Sequence, residues 1–128
     1  MTTTAARRRG ERGAVTAELA LTLPLLVAVV TGLVWLLAVG AAQVRTVDAA
    51  RETARAVARG DGVDEAVARG ARVAPEGSQV EVSTAGDEVR VVVTGAVAGP
   101  GGLFGFLPAA PTRAEAVAAV ERTGVDAP

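Results

Sequence analysis

The sequence contains no cysteine, histidine, tyrosine or lysine. Without cysteine no disulfide forms. Without cysteine or histidine the usual zinc-ligand sets are excluded, as are Cys–His and Ser–His–Asp catalysis. Serine is limited to Ser78 and Ser83, both in a strand-like stretch, and the aromatics are Trp35, Phe104 and Phe106. A folded part of this chain must therefore hold together by aliphatic packing. The glycine-rich "GPGGLFG" (99–105) has neither a helix start after it nor a closing Gly-Lys-Ser/Thr, so a phosphate loop does not fit. The carboxylate pairs Asp64–Glu65 and Asp87–Glu88 fall at a helix start and a turn, where solvation accounts for them. The expectation is a non-enzyme with no catalytic residue, cofactor or metal.

Arginine supplies all 13 basic residues, and alanine, valine and glycine abound, a composition typical of GC-rich bacterial genomes. Of the 128 residues, the first forty or so are not globular sequence, which leaves room for one small domain with a thin core. Charge is split along the chain. Residues 1–13 carry Arg7, Arg8, Arg9 and Arg12 against Glu11, a net +3, while residues 40–128 carry nine arginines against twelve acids, a net −3. Such a split orients a membrane segment and gives no basic face for nucleic acid.

From Leu19 to Val44 there is no charge at all. At ~1.5 Å per residue a helix of that length crosses ~30 Å of hydrocarbon, and it far exceeds a secretory apolar core of ~7–15 residues. The positive leader places the N-terminus in the cytoplasm and the rest of the chain outside, with Trp35 in the outer half of the span. Pro24 removes one backbone hydrogen bond and predicts a mild kink. Thr22 and Thr31 can return their hydroxyls to carbonyls of the preceding turn.

The helix is expected to continue past the bilayer. In "QVRTVDAARETARAVARGD", Val47, Ala50, Ala54, Val57 and Ala58 recur at three- and four-residue steps, and Gly60 is a natural end. Asp48–Arg51 and Glu52–Arg55 stand at ion-pair spacing on the other faces. A short second helix follows, with Asp61 or Asp64 near its start and Pro75 beyond its end. Next, "SQVEVSTAGDEVRVVVTGAV" reads as a hairpin about a type II′ turn at Gly86-Asp87. That register sets Thr84 against Val89, Val82 against Val91 and Val80 against Val93 on one face. Ser83–Arg90 and Glu81–Val92 then fall on the other. For the final segment, propensity and the Thr112/Glu115 capping-box spacing favour helix, while the alternation of Ala114, Ala116, Ala118 and Val120 offers a strand.

The apolar helix has one awkward member, Glu18. It stands five places after Gly13, so a cut after Gly13 would make Ala14 the first residue and Glu18 the fifth. A basic leader, a glycine and this acid resemble the prepilin-peptidase substrate pattern of type IV pilins. Each part has a physical reason. Glycine presents no side chain to obstruct a protease at the membrane face, and the arginines hold the leader on the cytoplasmic side. A carboxylate near a membrane helix end is costly unless paired or hydrated. The α-amino group freed on a neighbouring subunit is a suitable partner. A plainer reading is that Glu18 favours a helix N-terminus through the dipole.

The block "ERGAVTAELALTLPLLVAVVTGLVWLLAVGAAQVRTVDAARETARAVARGD" (11–61) resembles the TadE family of the tight-adherence (Flp, type IVc) pilus machinery, particularly its actinobacterial branch. It carries the acid Glu18, Pro24 six residues later and the "VDAARETAR" continuation. The resemblance implies a processed minor pilin or pseudopilin, held in the cell membrane or incorporated in the pilus. Its implied partners are a prepilin peptidase, other Tad/Flp pilus subunits, the membrane assembly platform and membrane lipid. Major Flp pilins are much shorter. Relatives end in a small antiparallel sheet whose last, alanine-rich strand finishes near a glutamate. "RAEAVAAVE" (113–121) fits that ending, and on this ground residues 112–121 are assigned as strand.

The expected fold is α+β: a leader (1–13), a transmembrane helix (14–40), its amphipathic extension (41–60) and a small external domain (61–128) with a short helix and a three-stranded antiparallel sheet. Two other classes compete with the pilin-like reading. One is a secreted binding protein cut near "AVGA" (38–41), and the other an unprocessed single-pass membrane protein. Leu103, Phe104, Phe106 and Leu107 crowd a Gly/Pro-rich loop. They either cap the open end of the sheet or form a candidate interface for another subunit or the membrane face.

Overall fold

The computed structural model describes residues 3–120, with side chains described for these except at 3–9, 11, 12 and 103. The architecture is α+β. A helix α1 (Thr3–Ala58) is followed by a short helix α2 (Val63–Val73), strands β1 (Gln79–Ala85) and β2 (Glu88–Val97), a single 3₁₀ turn (Gly102–Phe104) and β3 (Ala110–Ala119). The chain divides into two compact units, Met1–Trp35 and Leu36–Pro128.

The first unit is helix throughout its described length. Leucine, alanine and valine dominate it from Val15 onward. Its leucines and valines remain largely in the open: Leu21 is 78% exposed and Leu25 65%. Helix α1 runs through Pro24 without a break. The Thr22 hydroxyl donates to the Glu18 carbonyl at 2.7 Å, and Thr31 to that of Val27 at 2.8 Å. Both threonines thus behave as their positions predict, satisfying their own hydroxyls inside the helix.

The second unit holds the core. The last turns of α1 end in a Schellman arrangement: Gly60 N–H donates to the Val57 carbonyl and Asp61 N–H to that of Ala56. Gly60 takes φ +95°, a conformation in which a Cβ would be strained. Helix α2 starts after Gly62 with no side-chain cap, and carries Asp64 and Glu65 in its first turn. Asp61 turns back instead to Arg59 and Arg69, at 3.8 and 3.4 Å.

The β1–β2 register is the one the valine pattern predicts: Val80↔Val93, Val82↔Val91, Thr84↔Val89, with Ser83↔Arg90 on the other face. Gly86 has φ +60°, and Asp87 is not among the positive-φ residues, which suits type II′ and rules out type I′. Strand β3 pairs antiparallel with the far side of β2, giving the order β1-β2-β3. It sets Ala114 beside Val93, Ala116 beside Val91 and Ala118 beside Val89. One face of the sheet is therefore three rows, two of Val-Val-Ala and one of Thr-Val-Ala, with Val89, Val91 and Val93 fully buried. On the opposite face Arg90 bonds Glu88 and Glu115, tying β2 to β3.

The valine face and α1 share a single core with Ala50, Ala54 and Val57. A second buried stripe runs beside it: Ala42, Thr46, Ala49, Thr53 and Ala56. Its small side chains admit α2 at close range. The expected Asp48–Arg51 and Glu52–Arg55 pairs do not form among the described residues. Arg45 instead donates to the Val73 and Ala74 carbonyls and so closes the C-terminal end of α2.

Candidate functional site

The residues singled out in the sequence fall in two places. The first is the stretch from Gly13 to Pro24. Gly13, Ala14 and Glu18 all lie within α1 and all are exposed. Among the described residues nothing stands within 4 Å of where a Cβ on Gly13 would be, so none of them gives a packing reason for glycine there. The leader side chains Arg7, Arg8, Arg9, Glu11 and Arg12 lie outside the described ones.

Glu18 sits at the start of the charge-free segment, and its carboxylate has no ion-pair partner among the described residues. Its carbonyl is occupied by Thr22, which leaves only the side chain to seek a partner. Such a carboxylate is stable at a membrane face when it is hydrated or meets a cation from elsewhere. Pro24 lies six positions further on, in the next turns of the same helix.

The second place is the loop between β2 and β3. Phe104 N–H donates to Gly101 and Leu107 N–H to Phe104, so the loop is closed by its own backbone. Gly99 lies close against the Leu107 backbone, where a Cβ would be 3.5 Å from the carbonyl oxygen. Phe104 and Leu107 are half-buried, whereas Phe106 is 78% exposed. The Leu103 side chain lies outside those described. Phe104 and Leu107 are thus partly covered, while Phe106 is left without a packing role.

A third feature was not visible in the sequence. The Gln43 side chain meets the Arg113 backbone twice, Nε2 donating to its carbonyl at 2.9 Å and Oε1 accepting from its N–H at 3.3 Å. In effect an amide side chain of α1 stands in for a neighbouring strand at the edge of β3. Gln43 is the only glutamine on α1, which was the sole signal available.

Among the described residues, Gly13–Ala58 is the one helix long and apolar enough to cross a membrane. With the sheet and α2 attached, the chain has the build of a membrane-anchored protein carrying a small α+β domain. Residues 13–55 match the model of the TadE-like protein family, and over that stretch the chain is TadE-like. The match lies wholly within α1, starting at the glycine of the candidate cleavage site. No curated protein and no solved structure matches the chain.

Proposed function

We propose that this chain is a minor pilin or pseudopilin of a tight-adherence (Flp) pilus system, processed by a prepilin peptidase and acting in pilus assembly rather than in catalysis. The observation that carries the reading is the position of Glu18: an acid without an ion partner among the described residues, five places after an unobstructed Gly13, at the head of an apolar helix matched by the TadE-like family. The peptidase would cut between Gly13 and Ala14. The new α-amino group of one subunit would then neutralise Glu18 of the next and set the axial step between their helices. The +3 leader would lie in the cytoplasm, and the domain that follows the span would lie outside. Other Tad/Flp pilus subunits and the membrane assembly platform are the partners this role requires.

Two variants test the assignment in a piliated host. Gly13→Leu should leave the leader attached, because the side chain obstructs the peptidase while its Cβ meets nothing among the described residues. Glu18→Gln should still be processed but should no longer co-purify with other pilus subunits. Normal association of Glu18→Gln would remove the role given to the carboxylate.

A further inference from the structure

We propose that the β2–β3 loop is a second membrane contact, with Phe106 inserted among the lipid headgroups and upper acyl chains on the domain's side of the bilayer. This rests on α1 being a membrane anchor.

Strand β3 runs alongside α1. At its beginning Arg113 is bonded to Gln43. Near its end, Ala118 and Ala119 line a groove with Arg55, Ala58 and Arg59. The strand therefore climbs in the same direction as α1. The lengths agree: six strand steps at ~3.3 Å and thirteen helix steps at ~1.5 Å both give ~20 Å.

Followed the other way, the same steps put Ala110 ~10 Å before Gln43, level with the turn around Leu36 and Leu37. Val97 is paired with Ala110, so both ends of the loop hang from this end of the sheet. The charge-free segment measures ~39 Å as helix against ~30 Å of hydrocarbon. If the hydrocarbon begins near Leu19, it ends near Leu37 or Ala38, and Val39–Val44 lie at headgroup depth. The loop is thus at the depth of the membrane interface.

Its chemistry suits that place. Residues 95–112 carry no charge, and Arg113 follows, exposed and at headgroup level. The opposite end of the domain carries Arg59, Asp61, Asp87 and Glu88. Among the described residues, the large apolar side chains left exposed in the second unit are Leu36, Leu37, Val44 and Phe106, together with Val63 and Val117. Four of these six therefore gather at the membrane end. An aromatic ring at the boundary, beside an arginine able to bond phosphate, is a recurrent interfacial anchor. The backbone bonds that close the loop keep Phe106 pointing outward at little entropic cost.

Because the chain has no cysteine, single spin labels report depth directly. The full-length chain is reconstituted in phosphatidylcholine/phosphatidylglycerol vesicles with a label at Phe106→Cys, at Ser83→Cys on the solvent face of the sheet, or at Leu26→Cys in the span. Collisions with oxygen, which partitions into lipid, are compared with those of a water-soluble nickel chelate. Oxygen should dominate at positions 106 and 26 and the chelate at 83. Equal chelate access at 106 and 83, with 26 in lipid, overturns the proposal and leaves the anchor intact. Chelate access at 26 sinks the anchor reading itself. Spin–spin broadening at 106 that vanishes on dilution with unlabelled chain assigns the loop to a subunit contact, and also overturns the proposal.

Discussion

Gly70 of α2 lies directly on Thr53 of α1, so close that a methyl group at position 70 would overlap the threonine hydroxyl. That hydroxyl is fully buried and donates to the Ala49 carbonyl at 2.8 Å, so it cannot swing aside without losing its bond. The contact sets the distance between the two helices and explains why one stripe of α1 is built from alanine and threonine.

An exposed helical glycine replaced by alanine would gain ~1 kcal/mol of helix propensity, whereas overpacking a tight contact costs ~1–3 kcal/mol. Here the second effect should win. Gly70→Ala is expected to destabilise the domain by ~1–2 kcal/mol, read as faster amide exchange in β2 of the full-length chain in micelles. In a Thr53→Ala background most of that added cost should vanish, because the overlapping oxygen is gone. Equal losses in both backgrounds would show that the contact does not govern the helix spacing.

Thr112 poses the opposite problem. Its hydroxyl and that of Ser78 are buried without a hydrogen-bond partner among the described residues, and both border the space above Gly95. A hydroxyl in that state costs free energy that a methyl of similar shape does not. Thr112→Val should therefore stabilise the sheet by on the order of 1 kcal/mol, seen as slower exchange at β3. Destabilisation instead would mean that the hydroxyl has a partner in solution, such as an internal water.

Much of this fold was legible in the sequence, for identifiable reasons. The hairpin register followed from valines on one face and a glycine in the turn, because a one-residue slip would expose Val89, Val91 and Val93 together. The α1 stripe was half legible. Ala50, Ala54 and Val57 were read from their spacing, but Thr46, Ala49, Thr53 and Ala56 were not. They are buried for their small size, which hydropathy does not record. The last strand ran against its propensity: pairing with β2 outweighs the helical preference of an alanine-rich segment, and the alternation of Ala114, Ala116 and Ala118 was the true signal. Glu121, taken as the end of that strand, lies outside the described residues. The Gln43–Arg113 contact could not be read, since it joins residues 70 positions apart. At the candidate site the sequence supplied Gly13 and Glu18 together, through their spacing at the head of the charge-free run.

Orientation can be tested separately from processing. A reporter active only outside the cytoplasm, fused after Pro128, should be active if the +3 leader stays inside. Activity of a cytoplasm-only reporter at the same position would reverse the topology and place the Phe106 loop on the cytoplasmic leaflet.

Whether the chain is cut after Gly13 is read from the intact mass of the membrane-extracted protein. The mature chain should begin at Ala14, with Glu18 as its fifth residue. A mass retaining the arginine leader, or one beginning near Ala41 or Ala42, would contradict it. The first would mark a plain anchor and the second a cleaved signal peptide.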